Sequence, residues 1–425
     1  MAEVKTSFIK LITVNKEPRL NISFKIHYLW VIILISLPYL FWEIYWAYKV
    51  GYMCIKWHTR LMFYFYLWIA THVLLYFTVR KINLRVYQTG TMLFTSILAA
   101  LMLAEFFLST FRINETFVER IGNGYNSQYQ ASGQSWYHTY PPNQKHWITK
   151  REYSYERESN SLGFSDMEWQ MKKKEKEKRI LSLGDSFTEG DGAPYDSSYV
   201  ALMRTKFAAD SSIYVMNAGT CGSDPFINFI NYRDRLYAYK PDIIVQTLSS
   251  GDMDVDIIVR GGMERFLSSG KVKFRKGPWW EPIYALSYVS RLYFKALGYN
   301  EMLLRDADIS AHKEELDALV IELFEKYVDL AQSNNCKLLV VLHPFLFEVV
   351  NKKYAYDFST ILQRLKTTAN VQVVDLQPFY ESYISSNHTL PNSYYWKGDG
   401  HHNPIGYNMM AEGVYSALTK EVNLK

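Results

Sequence analysis

Two rhythms of apolar and polar positions divide the chain. Up to about residue 110 the apolar positions come in long unbroken runs, at about 28–47, 61–79 and 89–108. Each run approaches the ~20 residues a helix needs to cross a hydrocarbon core ~30 Å thick. Trp30, Trp42, Trp46, Trp57 and Trp68 fall near the run ends among many tyrosines, as amphipathic rings do at membrane surfaces. Three transmembrane helices are therefore expected. A cleavable signal peptide fits poorly, because a long polar-rich leader precedes the first run and two more runs follow it. Lys5, Lys10, Lys16, Arg19, Lys25, Arg80, Lys81 and Arg85 flank one side, against Lys49, Lys56, Arg60, Arg112 and Arg120 on the other. That bias places the N-terminus in the cytoplasm and the long C-terminal part on the extracytoplasmic side. Glu43, His72 and Glu105 lie inside the runs, where ionisable groups are costly. Glu43 and Glu105 are near enough to run ends to snorkel, or to contact a membrane protein partner.

Beyond the runs the rhythm changes twice. Residues 113–178 are irregular and polar, closing in a KKKEKEKR charge run at 172–179; such a run is usually solvated, and the stretch reads as a connector. From 179 to 425, short apolar runs alternate with helical periodicity. Strands are expected at 179–183, 213–217, 243–248, 337–342 and 371–375, and helices at about 198–207, 226–238, 312–332, 357–368 and 404–420. That alternation predicts an α/β domain, a mostly parallel sheet with helices on both faces. Its chemistry belongs just outside the carboxyl ends of the strands. The chain thus divides into a membrane region (1–112), a connector (113–178) and an α/β domain (179–425). Residues 254–310 form a long excursion within that domain, a lid, substrate wall or partner surface.

Composition narrows the classes. A net charge of +5 from 47 basic and 42 acidic residues gives no basic footprint for nucleic acid, and no such partner is expected. Cys54, Cys221 and Cys336 lie far apart without metal or redox spacing, so no disulfide framework, metal or other cofactor is expected. The 16% aromatic fraction suits membrane interfaces or carbohydrate platforms. There is no internal repeat, which argues against a transporter.

The first strand of the α/β part runs into Gly184-Asp-Ser186-Phe-Thr-Glu-Gly190, and the last helix is preceded by Asp399-Gly-His401-His402-Asn-Pro404. A serine hydroxyl is a weak nucleophile that needs a base, itself oriented by a third group. Asp399 and His402, three residues apart on one loop, supply that pair: His402 takes the Ser186 proton and Asp399 holds the imidazole. His401 is the rival base or a solvent-facing neighbour. His343, in the LHPF stretch after the fourth strand, reads as a pocket wall or strand end, and Trp279, Trp280 and Trp396 as candidate groove residues.

With these two blocks the chain resembles the SGNH (GDSL-type) hydrolases, in its membrane-attached bacterial form. Asn217-Ala-Gly-Thr-Cys-Gly222 resembles their glycine block, and Asn160-Ser-Leu-Gly-Phe164 a segment that precedes the domain in membrane-attached members. The resemblance runs from about residue 160 to the C-terminus. It implies a flavodoxin-like, doubly wound parallel sheet, and an oxyanion hole formed by the backbone N–H groups of Ser186 and Gly222, with Gly219 less favoured. One position departs: Asp252 stands where the family carries an asparagine donor. An ionised carboxylate cannot donate to an oxyanion, whereas a buried protonated one can. The function implied is a serine esterase or O-acyltransferase acting on acyl esters of a glycan or lipid, such as O-acetyl groups of cell-envelope carbohydrate. The alternative is a non-catalytic membrane module that binds glycan or scaffolds an envelope complex.

Overall fold

The computed structural model describes residues 36–43, 45, 57–78, 83–111, 113, 139–253, 257, 261–266, 278–299, 305–333 and 335–421. Helix α1 (Trp57–Thr78) and helix α2 (Leu84–Thr110) are both long and apolar enough to cross a membrane. Leu74, Phe77, Leu103 and Phe106 are exposed on them. They coincide with the second and third predicted runs; the first lies mostly outside the described residues, with helix at 36–43. Trp68 Nε1 donates to Thr95 Oγ1 (3.1 Å) and Tyr64 OH to Glu105 Oε2 (3.5 Å), so the start of α1 meets the end of α2.

A two-stranded antiparallel hairpin follows, β1 (Lys145–Thr149) and β2 (Ser154–Glu158), inside the stretch read as a connector. The remaining strands are β3 (Lys178–Leu183), β4 (Ile213–Asn217), β5 (Ile243–Leu248), β6 (Lys337–Leu342) and β7 (Val371–Asp375), all parallel in the order β4-β3-β5-β6-β7. This is the flavodoxin-like order, with its switch point beside β3. Side chains alternate between the faces, as the pleat requires. Leu181, Leu183, Ile244 and Leu338 enter one core, and Ile180, Val215, Val245 and Leu339 the other.

Short α3 (Ser186–Glu189) opens directly after β3, and α4 (Tyr199–Lys206) and α5 (Pro225–Asn231) follow. In the excursion after β5 lie α6 (Glu281–Leu286) and α7 (Tyr288–Ala296), then α8 (Lys313–Gln332), α9 (Leu346–Asn351) and α10 (Ser359–Lys366). Helix α11 (Leu376–Ser386) and the last helix, α12 (Pro404–Glu421), complete the domain. Helices α5, α8 and α10 cover one face, and α4, α11 and α12 the other.

Among the described residues of the excursion, α7 packs against α2 of the apolar hairpin. Ser287 caps α7, and Glu105 of α2 accepts from Ser287 Oγ (2.9 Å), Tyr288 N (2.9 Å) and Val289 N (3.3 Å). Arg60 and Arg291 lie over the Tyr288 ring at 4.6 and 4.1 Å. A carboxylate at a helix start meets orphan N–H groups and the positive end of the macrodipole. Glu105 therefore neither snorkels nor points outward; it ties the apolar hairpin to the α/β domain.

Candidate functional site

The nucleophile turn is built by close packing at the end of β3. A Cβ on Gly184 would sit 1.9 Å from Thr247 Oγ1, so only glycine lets β3 and the end of β5 approach here. Asp185 then caps α3 by accepting from Phe187 N (2.9 Å), and Ser186 begins the helix. The loop after β4 closes over the turn: Thr220 N and Ser223 Oγ both donate to Gly184 O, at 3.0 and 2.8 Å. Gly222 lies in that loop at φ +73°, a left-handed conformation that favours glycine. Gly219 N already donates to Asn217 Oδ1 (3.0 Å).

The imidazole that meets Ser186 belongs to His401, not to His402. His401 Nε2 lies 2.8 Å from Ser186 Oγ, and Nδ1 is hydrogen-bonded to Asp399 Oδ1. The reason is local backbone geometry. Gly400 turns the chain at φ +87°, and His402 then bridges to Tyr395 in extended form, so neighbouring side chains face opposite ways. His401 faces the strand ends. His402 enters the core, where Tyr380 OH lies 3.0 Å from its Nε2 and Tyr394 O 3.2 Å from its Nδ1. Burial drives the His402 pKa down to about 3, keeping it neutral.

The electrostatics around His401 come from its own loop and from two other segments. Asp399 Oδ2 accepts from Lys150 Nζ (2.8 Å) and Oδ1 from Tyr153 OH (3.0 Å). Lys150 Nζ also reaches Asp191 Oδ2 (3.1 Å), just past α3. Burial disfavours a charged His401, but the Asp399 hydrogen bond and the charges of Asp191 and Asp399 outweigh it. The imidazole is held above its ordinary pKa, with Lys150 pulling the other way. Burial likewise opposes ionisation of Asp399, yet His401 and Lys150 hold the carboxyl well below the usual range. Asp191, Asp399 and His401 bring three potential ligand atoms within 4.8 Å of one another. The Lys150 ammonium already meets both carboxylates there, so the positive charge a metal would bring is supplied by the chain.

The other expected residues lie as follows. Asp252 is buried, and its Oδ2 accepts from Ser249 N (2.7 Å) and Ser249 Oγ (3.0 Å), the behaviour of an acceptor. His343 is fully buried against the Phe187 ring (4.6 Å), its Nε2 4.0 Å from Asp185 Oδ1. Among the described residues, the tryptophans have different ring partners. Trp396 packs beside Tyr153 (5.3 Å) and donates to Gly192 O (2.7 Å), whereas Trp280 stacks on Phe294 in the excursion. Lys150, Tyr153 and Asp191 escaped the sequence reading. Asp191, directly after the GDSFTEG block, carried the one local signal.

No family model and no curated protein matches the chain. Among solved structures, a two-domain esterase active on acetylated mannans is similar over 58% of this chain and 50% of its own, at 13% identity and a TM-score of 0.37. The chain thus spans half the length of that protein. An acetyl xylan esterase is similar over 56% of this chain and 99% of its own, at 16% identity and a TM-score of 0.36. A lipolytic G-D-S-L protein from Veillonella parvula is similar over 58% and 99%, at 18% identity and a TM-score of 0.33. Scores this low leave the functional reading to the chain's own geometry.

Proposed function

We propose that the chain is a membrane-anchored SGNH-type serine esterase or O-acyltransferase, with Ser186 as nucleophile, His401 as base and Asp399 as the group that orients it. The observation that carries this reading is the unbroken hydrogen-bonded path from Ser186 Oγ through both nitrogens of His401 to Asp399. As Ser186 Oγ bonds to the acyl carbon, its proton passes to His401 Nε2, and Asp399 stabilises the resulting imidazolium. The carbonyl π electrons move onto the oxygen, which the N–H groups of Ser186 and Gly222 receive. Collapse expels the alcohol, which takes the proton from His401 and leaves an acyl-serine. Water or a sugar hydroxyl, deprotonated by His401, then attacks the acyl carbon; the second tetrahedral adduct collapses to the acid or the acylated sugar, and the departing Ser186 Oγ takes the proton back from His401.

The substrate class is an acyl ester, with O-acetyl groups on cell-envelope carbohydrate favoured. Two apolar helices would hold the site at a membrane surface, and the rings of Tyr153 and Trp396 beside the Asp399 loop offer faces for sugars. The basic-residue bias supports an extracytoplasmic site.

The test is labelling of the full chain in detergent with a serine-reactive fluorophosphonate, alongside hydrolysis of p-nitrophenyl acetate. Labelling and turnover should vanish in Ser186→Ala and persist in a surface control, Ser211→Ala. No labelling of folded wild-type protein would refute the esterase reading and favour the non-catalytic glycan-binding or scaffolding module.

A further inference from the structure

We infer that Lys150 is a positioning residue of the acyl-transfer site: its ammonium, presented by the tip of the β1–β2 hairpin, bridges Asp399 and Asp191 and keeps the Asp399 carboxylate in line with His401. This rests on the Ser186–His401–Asp399 assignment above.

The hairpin is shaped for this contact. Lys150 N donates to Tyr153 O (2.9 Å), closing a tight turn, and three turn residues grip one loop. Glu152 Oε2 accepts from Gly398 N (2.7 Å) and Asp399 N (3.2 Å), Tyr153 OH donates to Asp399 Oδ1, and Lys150 takes Oδ2. The backbone and both carboxylate oxygens of Asp399 are thus held from one direction. The body of the hairpin grips the nucleophile segment instead. Tyr155 OH donates to Asp191 Oδ1 (3.0 Å) and accepts from Gly192 N (3.0 Å), while buried Arg157 pairs with Glu189, the last residue of α3. Glu189 also accepts from Cys221 N, next to Gly222. One hairpin therefore joins the serine segment, the glycine loop and the base loop.

Charge explains why a lysine is needed. Around His401 stand Asp399 on its own loop, Asp191 after α3, Lys150 on the hairpin, and the neutral His343 and His402. Lys150 sets one positive charge between the two carboxylates; without it Asp191 keeps only Arg157 Nη2 at 3.5 Å, a guanidinium already paired with Glu189, and Asp399 loses its ammonium partner. The negative charge so left would favour the imidazolium, which cannot accept the Ser186 proton, and would drive Asp399 and Asp191 apart.

The experiment compares wild type, Lys150→Met and Lys150→Arg as full-length protein in detergent, following fluorophosphonate labelling and p-nitrophenyl acetate kcat/KM from pH 5.5 to 9.5. For Lys150→Met the acid limb should move up by ~1 pH unit, with labelling ~10-fold slower on that limb and within ~3-fold of wild type at the alkaline end. Lys150→Arg should restore most of the limb. A purely structural role would lower activity equally at every pH, and an unmoved acid limb in an active Lys150→Met enzyme overturns the inference while leaving the triad intact. Wild-type protein that is itself unreactive overturns both. Should Lys150→Met fail to fold, Lys150→Gln takes its place under the same criteria, and the half-exposed site makes either tolerable.

Discussion

Adjacent histidines give the sharpest test of the site, because one should govern turnover and the other the fold. His402 is fully buried and has ring contacts with Tyr395 (4.2 Å), Phe187 (5.3 Å) and Tyr407 (5.4 Å). Replacing it with alanine leaves a ring-sized cavity and deprives the Tyr380 hydroxyl of its partner. Cavity and lost hydrogen bond together cost about 3–5 kcal/mol, or roughly 10 °C in melting temperature for a domain of this size. The molecules that remain folded keep Ser186, His401 and Asp399, so their turnover should stay within ~10-fold of wild type. His401→Ala is the mirror case. Its side chain is 18% exposed and its partner Asp399 keeps Lys150 and Tyr153, so stability should fall by only about 1 kcal/mol. Turnover should fall by ~10⁴–10⁶, the loss seen when an activating base is removed. The assay pairs a thermal melt with p-nitrophenyl acetate turnover corrected for the folded fraction, both in one detergent. A folded His402→Ala enzyme that is dead, beside an active His401→Ala enzyme, would refute the assignment.

Three further outcomes are expected. The acid limb of kcat/KM should lie above the ordinary histidine pKa near 6.5, because the carboxylates raise that of His401. By the same linkage, the stability from imidazolium pairing is fully present below 6.5 and is lost as pH rises through the raised value, while that from the depressed Asp399 is lost only in strong acid. A limb well below 6.5 in a pH–rate profile would contradict this. Asp252→Asn should keep turnover within a few-fold, because an amide oxygen can still accept from Ser249 and its N–H₂ can donate; a loss as deep as that of Ser186→Ala would mean the carboxylate itself is essential. Glu105→Ala should lower the melting temperature of the full chain and speed proteolysis near α7, as the removed carboxylate caps that helix; the expected cost is about 2–4 kcal/mol, and an unchanged melt and digestion pattern would discount the tie.

How much of this the sequence discloses depends on whether a residue's neighbours are local. Strands β4 to β7 begin and end where they are expected, because parallel strands covered by helices read as short, mostly apolar runs. Helix α11 escaped notice because Asp375 ends β7 and at once caps the helix through Gln377 N, leaving no linker to mark the change. The choice between His401 and His402 turned on a backbone reversal at Gly400 that side-chain spacing does not encode. The hairpin is the most instructive case. In β2, Ser154–Glu158, the alternate buried positions are Tyr155 and Arg157, and the exposed ones are Ser154, Glu156 and Glu158. The period of two is present, but with only one aromatic and a charge as its inward set, a scan for apolar alternation sees a solvated linker. Burying Arg157 is tolerable because Glu189 and Asp191 receive its charge, and the Lys150 tip finds Asp399 249 residues away. A polar strand held by distant opposite charges carries no hydrophobic signature, although its own residues complete the electrostatics of the base.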